Sequence, residues 1–351
     1  MSENFDVVVI GGGAAGLNGA LMLGRSRRSV LVIDAGAPRN APAAGVHGLL
    51  GREGMPPGEL MARGRAEVEM YGGEIRTGTV TTVAPLPTNA ADTGTPATPG
   101  APAAAGIAET QRSTAAAGFV VTLGDGSVVR ARRILVASGL VDELPDVPGL
   151  RELWGKDVLH CPYCHGWEAR DRAIGVLASG PMSVHQTLLF RQLSDDITYF
   201  SHRSPELTAE QAGQFGALGV KVVDGEVAGL DAADGTLRGV RLADGTVVAR
   251  DVLAVATRLV ARLDFLAELG LKPVQHPMGV GDHLPADPTG RTEVAGVWVA
   301  GNATDLTAQV GNAAAAGAMA GAQINADLVA EDTQRAVERY SSPSKSPSVS
   351  R

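Results

Sequence analysis

Asp6-Val7-Val8-Val9-Ile10-Gly11-Gly12-Gly13-Ala14-Ala15-Gly16, running on through Leu17 to Arg25, is the stretch that decides the fold. A short β-branched run meets a glycine turn, and the turn opens into apolar residues at helical spacing. In Gly11-x-Gly13-x-x-Gly16 the first glycine makes the tight turn. The second, next to Ala14, lets a pyrophosphate approach the backbone, and the third lets helix and strand pack closely. The amides at the start of the helix then face the phosphates. The next apolar run, Ser29-Val30-Leu31-Val32-Ile33, ends at Asp34, eighteen residues after Gly16. A carboxylate there accepts from a ribose hydroxyl, so the unit suits an adenosine cofactor without a 2′-phosphate, FAD or NAD. The motif alone does not choose between the two.

Outward from this unit, 351 residues exceed one ~100–200-residue domain and predict two. A content of 44% hydrophobic and 19% charged residues excludes wholesale disorder, and 45 Gly without a Gly-X-Y period exclude collagen. A net charge of −8 with no polybasic run argues against nucleic acid or anionic lipid as a partner. No apolar run approaches the ~20 residues of a membrane helix, and the first residues carry no secretory pattern, so a cytoplasmic location is expected.

The predicted fold class is α/β, with two Rossmann-like nucleotide-binding domains and the second inserted into a discontinuous first. Residues 1–141 form the first part, ending in a hairpin of Phe119–Leu123 and Val128–Val136 that runs into Ala137-Ser138-Gly139. Within it, 84–117 is rich in Pro, Thr, Ala and Gly and is expected to be a disordered insertion. Residues 142–257 form the inserted domain, with a second strand–helix–strand over Ala173–Ala178, Ser183–Leu193 and Ile197–Phe200. Residues 258–330 return to the first domain through Val297-Trp298-Val299-Ala300-Gly301-Asn302 and a helix from Val310 to about Leu328, and 331–351 read as a tail.

The only two cysteines sit in His160-Cys161-Pro162-Tyr163-Cys164-His165-Gly166-Trp167-Glu168. One pair three residues apart is no disulfide framework; it is a redox or metal-binding pair. If Pro162 is the first helical residue, the free amides stabilise a thiolate at Cys161, making it the outward nucleophile, with Cys164 one turn inside, more buried and facing the electron acceptor. A zinc site would draw on His160, Cys161, Cys164 and His165, but adjacent side chains splay apart and no second C-x-x-C closes a tetrahedron, so no metal is expected. His165 is a candidate acid and base for the thiols. Glu168 is expected to pair with Arg172 at i,i+4.

The glycine fingerprint, the Ala137-Ser138-Gly139 return, the C-x-x-C in an inserted domain, and Gly296-Val-Trp-Val-Ala-Gly301-Asn302 together resemble the low-molecular-weight thioredoxin reductase superfamily. Cys-Pro-Tyr-Cys-His-Gly is most similar to its gliotoxin- and holomycin-type dithiol oxidases. The resemblance implies FAD as cofactor and a homodimer. It implies that Gly301 and Asn302 lie along the ribityl chain and flavin, with Gln309 and Val310 at the pyrimidine ring, and that Gly139 is a further cofactor-binding residue.

Two departures from the pattern matter. Asn302 stands where the family usually has aspartate, and its amide can still accept through the carbonyl. The second domain's turn is Ala178-Ser179-Gly180-Pro181-Met182-Ser183, in which Pro181 removes a phosphate donor and only the middle glycine remains, and His202-Arg203-Ser204 keeps part of a 2′-phosphate clamp. The expected activity is therefore oxidation of a small-molecule dithiol to an intramolecular disulfide, with O2 reduced to H2O2. The alternative is an NADPH-dependent reductase of a thioredoxin-like protein; a flavin-bound sensor without turnover is a third.

Overall fold

The computed structural model describes residues 3–86 and 118–341. It opens with β1 (Glu3–Ile10), α1 (Ala14–Arg25), β2 (Val30–Asp34), α2 (Pro57–Met70), β3 (Glu74–Thr77), β4 (Val80–Pro85), β5 (Phe119–Leu123) and β6 (Val128–Val136). β3, β2, β1 and β6 are parallel, and β5 and β4 continue the sheet antiparallel. Val8 and Ile10 enter the core on one face, and Val7 and Val9 enter it on the other. That alternation, in strands buried on both sides, is why the runs read as continuously apolar.

The chain leaves through β7 (Leu140–Glu143), and α3 (Leu150–Leu153), β8 (Val158–Leu159) and α4 (Pro162–His165) lead into β9 (Ile174–Leu177), α5 (Ser183–Phe190) and β10 (Ile197–Phe200). α6 (Ala209–Leu218), β11 (Lys221–Val223), the antiparallel β12 (Val227–Ala233), β13 (Thr236–Leu242) and β14 (Val247–Ala249), and β15 (Val252–Val255) complete this unit. Its parallel sheet has the order β11-β10-β9-β15-β8. β16 (Arg258–Ala261) then pairs antiparallel with β7, Ala261 opposite Leu140, so the inserted unit begins and ends at one two-stranded ribbon.

β17 (Val274–Gln275) and β18 (Gly281–His283) extend that ribbon, and β19 (Val297–Val299) rejoins the first sheet beside β6. The final helix α7 (Val310–Ser341) lies on α1 at a crossing of glycines. A Cβ on Gly317 would fall 1.9 Å from the Ala15 carbonyl oxygen, and one on Gly321 would fall 2.7 Å from that of Gly19.

Two expectations about the fold need correction. Ala84 and Pro85 belong to β4, opposite Val120 and Phe119, because the hairpin partner holds them; the remainder of the expected insertion, 87–117, lies outside the described residues. The segment from 331 is not a tail up to Ser341 but helix. Arg133 grips Asp327 and Glu331 at 2.6 Å each, and Arg28 grips Asp332 at 2.6 Å, so charge rather than an apolar stripe carries α7 past Leu328. Helix α6, closed by a Thr208/Gln211 capping box, was not foreseen.

Candidate functional site

A cavity of about 830 Å³ runs from the carboxyl ends of β1, β2 and β6 across to the Cys161–His165 turn. Parallel α/β sheets bind ligands at this edge. Gly11, Gly13, Ala14, Asp34, Gly139, Gly301, Asn302, Gln309 and Val310 line it together with Cys161, Cys164 and His165. Gly16 does not line it. A Cβ there would sit 1.9 Å from the Gly11 carbonyl oxygen, so this glycine serves the helix–strand contact alone.

The residues fit FAD. Gly11 has φ +109°, and a Cβ would fall 2.2 Å from the Ala137 carbonyl oxygen, whereas a Cβ on Gly13 would meet nothing within 4 Å. The chain thus packs tightly behind the turn and leaves space in front of it. No side chain caps the first turn of α1, so its amides are left for an anion. Asp34 accepts from the Gly12 amide at 3.2 Å and from Arg65 at 2.5 Å, which aligns its carboxylate at the cavity wall. The Asn302 amide nitrogen donates to the carbonyls of Asp305 (3.0 Å) and Ala308 (2.9 Å). An aspartate could not make those bonds, which gives the asparagine a local reason to stand here.

Cys161 caps α4 with Pro162 at its first position. The Cys164 thiol donates to Cys161 Sγ at 2.7 Å. That hydrogen bond, against the cost of burial and with help from the Tyr163 and Cys164 amides and Arg39, lowers the Cys161 thiol to about 7. The same bond, with burial, raises Cys164. Burial does not separate the two as expected: both are half-buried and both line the cavity, so the distinction between them is electrostatic.

His165 is half-buried, and its Nε2 has no partner among the described residues. Burial lowers its proton affinity, opposed by Glu168, so the ring is neutral at pH 7. Glu168 does not pair with Arg172, which turns to Asp157 at 3.3 Å. Glu168 Oε1 lies 3.6 Å from His47 Nε2 instead, because α4 is a single turn and no helix sets the i,i+4 spacing there.

Arg39, from the loop after β2, holds Asp142 of β7 through two bonds of 2.6 and 2.7 Å, and the Thr257 hydroxyl donates to the same carboxylate at 2.8 Å. Burial pushes the Asp142 carboxyl up, but Arg39 and Thr257 outweigh it and hold the carboxyl below the usual range. The clamp joins the loop after β2 to β7 and to the residue that precedes β16, beside the cysteines. Sequence reading missed Arg39, Arg65, Asp142 and Thr257, whose partners lie 31 to 115 positions apart and leave no local signal.

In the second domain, the Ser179 and Gly180 amides both donate to Ser183 Oγ, at 3.1 and 3.2 Å, and Ser183 is buried. Those amides occupy the place of a phosphate cradle, and the chain's own hydroxyl already satisfies them. Arg203 is paired with Glu226, and His202 Nδ1 accepts from the Val227 amide at 3.0 Å.

The profile of the pyridine nucleotide-disulphide oxidoreductases matches residues 5–320. The protein named thioredoxin reductase tcpT of Claviceps purpurea (strain 20.1) is 30% identical over 340 residues, covering 94% of this chain and 96% of that one. Thioredoxin reductase sirT of Leptosphaeria maculans is 29% identical, covering 93% and 95%. The crystal structure of HlmI superposes with a TM-score of 0.84 at 41% identity, covering 97% of this chain and 98% of that chain. The relatives share the two-domain nucleotide-binding fold and span almost its whole length.

Proposed function

The chain belongs to the pyridine nucleotide-disulphide oxidoreductase family, and from that premise we propose that it is an FAD-dependent dithiol oxidase that closes an intramolecular disulfide in a small molecule. The coarser statement, a thioredoxin reductase-like flavin disulfide oxidoreductase, follows from its relatives. The observation that carries the finer one is the second turn: Ser183 takes the amides a nicotinamide nucleotide's phosphates would need, while the Cys161–Cys164 pair opens on the flavin cavity. Electrons then enter through thiols. By resemblance to the gliotoxin- and holomycin-type oxidases, the substrate class is a reduced dithiolopyrrolone or epipolythiodioxopiperazine-like dithiol, and the assembly is a cytoplasmic homodimer.

Gly11, Gly13, Ala14 and Asp34 would hold the adenosine diphosphate portion of FAD, and Gly139, Gly301, Asn302, Gln309 and Val310 the flavin portion. Once bound, FAD would supply a two-electron acceptor for the reduced cysteine pair, with O2 as the proposed terminal oxidant. The protein's own groups do the sulfur chemistry. A substrate thiolate attacks Cys161 Sγ of the oxidised pair, and Cys164 leaves; the second substrate thiol then displaces Cys161 and closes the product disulfide. Cys161 is a good leaving group because its thiolate is stabilised, and Cys164 takes a proton because its thiolate is not. The neutral ring of His165, next in sequence to Cys164, exchanges that proton.

The test is anaerobic titration of the purified flavoprotein. Dithiothreitol should bleach the flavin, NADPH should not do so within the turnover time, and readmitted O2 should yield one H2O2 per disulfide. Bleaching by NADPH at catalytic rate would make the protein a reductase instead.

A further inference from the structure

We propose that His47, oriented by Glu53, is the base that takes the proton from the incoming substrate thiol. The proposal rests on the dithiol-oxidase reading and adds a catalytic residue to its site. His47 lies on the loop between β2 and α2 and lines the same cavity as both cysteines. Its Nδ1 is 2.6 Å from Glu53 Oε1, and Glu53 Oε2 accepts from the Gly48 amide at 3.0 Å. Held from two sides, the carboxylate makes Nδ1 the donor and leaves Nε2 as the acceptor. Nε2 is 3.6 Å from Glu168 Oε1, too far for a hydrogen bond, and so remains free for a guest. A carboxylate behind one ring nitrogen with the other nitrogen open is the arrangement that orients a histidine base and stabilises its cation.

The other histidines at the cavity lack this support. His160 Nδ1 is committed to the Val255 carbonyl at 3.2 Å inside the protein, and His165 has a buried, unpartnered Nε2. His185 also lines the cavity, but among the described residues only His47 has a carboxylate within hydrogen-bond distance of a ring nitrogen. The charged and titratable groups facing His47 are Glu53 on its own loop and, from α4 and the turn after it, His165 and Glu168.

In the step, the substrate S–H bond breaks and its proton passes to His47 Nε2. The freed electron pair forms a bond to Cys161 Sγ, and the Cys161–Cys164 bond breaks with its pair on Cys164, which is then protonated. The second substrate S–H gives up its proton in the same way; its sulfur bonds to the first substrate sulfur, and Cys161 leaves as thiolate. Two electrons pass from the substrate to the pair, whose disulfide is the oxidant. Of the two protons removed, one ends on Cys164 and the other goes to solvent past exposed Glu53.

The experiment follows anaerobic bleaching of the holoenzyme by dithiothreitol in a stopped-flow instrument from pH 6 to 10. His47→Gln should slow it ~100-fold at pH 7, the usual worth of a general base. The deficit should shrink to a few-fold above pH ~9.5, where a dithiol ionises unaided. Glu53→Gln, at an exposed position, should lose ~10-fold at pH 7 with the same convergence, because it acts only through His47. Iodoacetamide alkylation of the reduced pair should keep its midpoint in both variants. A wild-type rate at pH 7 in His47→Gln, or a deficit of equal size at every pH, would overturn the proposal, as would a wild-type profile in Glu53→Gln should His47→Gln lose its flavin. A wild-type enzyme that NADPH bleaches and dithiothreitol does not would instead defeat the dithiol-oxidase reading, and that result is seen before any variant is made.

Discussion

Replacing Cys164 by Ala tests the electrostatic asymmetry of the pair directly. The Cys164 thiol, 2.7 Å from Cys161 Sγ, is the largest single cause of the depression of Cys161 to about 7. Without that donor, two backbone amides and Arg39 remain against the cost of burial, and the midpoint should return toward ~8.5, the value of a free cysteine. At pH 7 the thiolate fraction then falls from about one half to ~3%, a ~16-fold loss set by the ~1.5-unit shift. Each thiolate of the variant is more nucleophilic, by ~5-fold for a Brønsted slope near 0.45. Iodoacetamide alkylation of the reduced enzyme should therefore be ~3-fold slower at pH 7 and ~5-fold faster above pH ~10, the two curves crossing between. A fold disturbance would displace the curve by one factor at every pH. A midpoint that stays at about 7 in the variant would refute the reasoning and assign the depression to the amides and Arg39.

Ser183→Ala with Glu226→Gln frees two amides and Arg203. NADPH binding should tighten ~10-fold, about 1.4 kcal/mol, by fluorescence titration, and micromolar binding by the wild type would contradict this. Gly317→Ala drives a Cβ to 1.9 Å from the Ala15 carbonyl. Moving α7 off α1 should cost ~1–3 kcal/mol, seen as a lower melting temperature and reduced flavin content, and unchanged values would mean the crossing relaxes freely. Asp142→Asn removes the partner of Arg39, whose side chain is 30% exposed, so a loss of ~2 kcal/mol is expected, below the cost of breaking a fully buried pair. Because the folded carboxyl sits below its unfolded value, its stabilisation is complete above pH ~4 and fades as pH falls through the depressed value. Melting curves of wild type and variant should converge in acid, and a gap independent of pH would refute the assignment.

By itself the sequence determined those parts in which neighbours along the chain are also neighbours in space. Gly11 to Gly16 with Asp34, the Cys161-Pro162-Tyr163-Cys164 turn, and the eroded turn from Ala178 to Ser183 are each one strand end and one helix start, so residue type and spacing specify their chemistry. Local pattern could not report where side chains find partners across the fold. Glu168 satisfied an i,i+4 rule on paper but has no helix to enforce it, and α7 continues past its apolar stripe because arginines from distant segments wait for its acids. The tertiary structure alone decided that the cysteine turn of one domain opens on the dinucleotide cradle of the other, across the Arg39–Asp142–Thr257 clamp, and that His47 is backed by Glu53. Those arrangements depend on how two domains meet and how a glycine-rich loop folds back on itself, and burial and charge settle them only once the chain is folded.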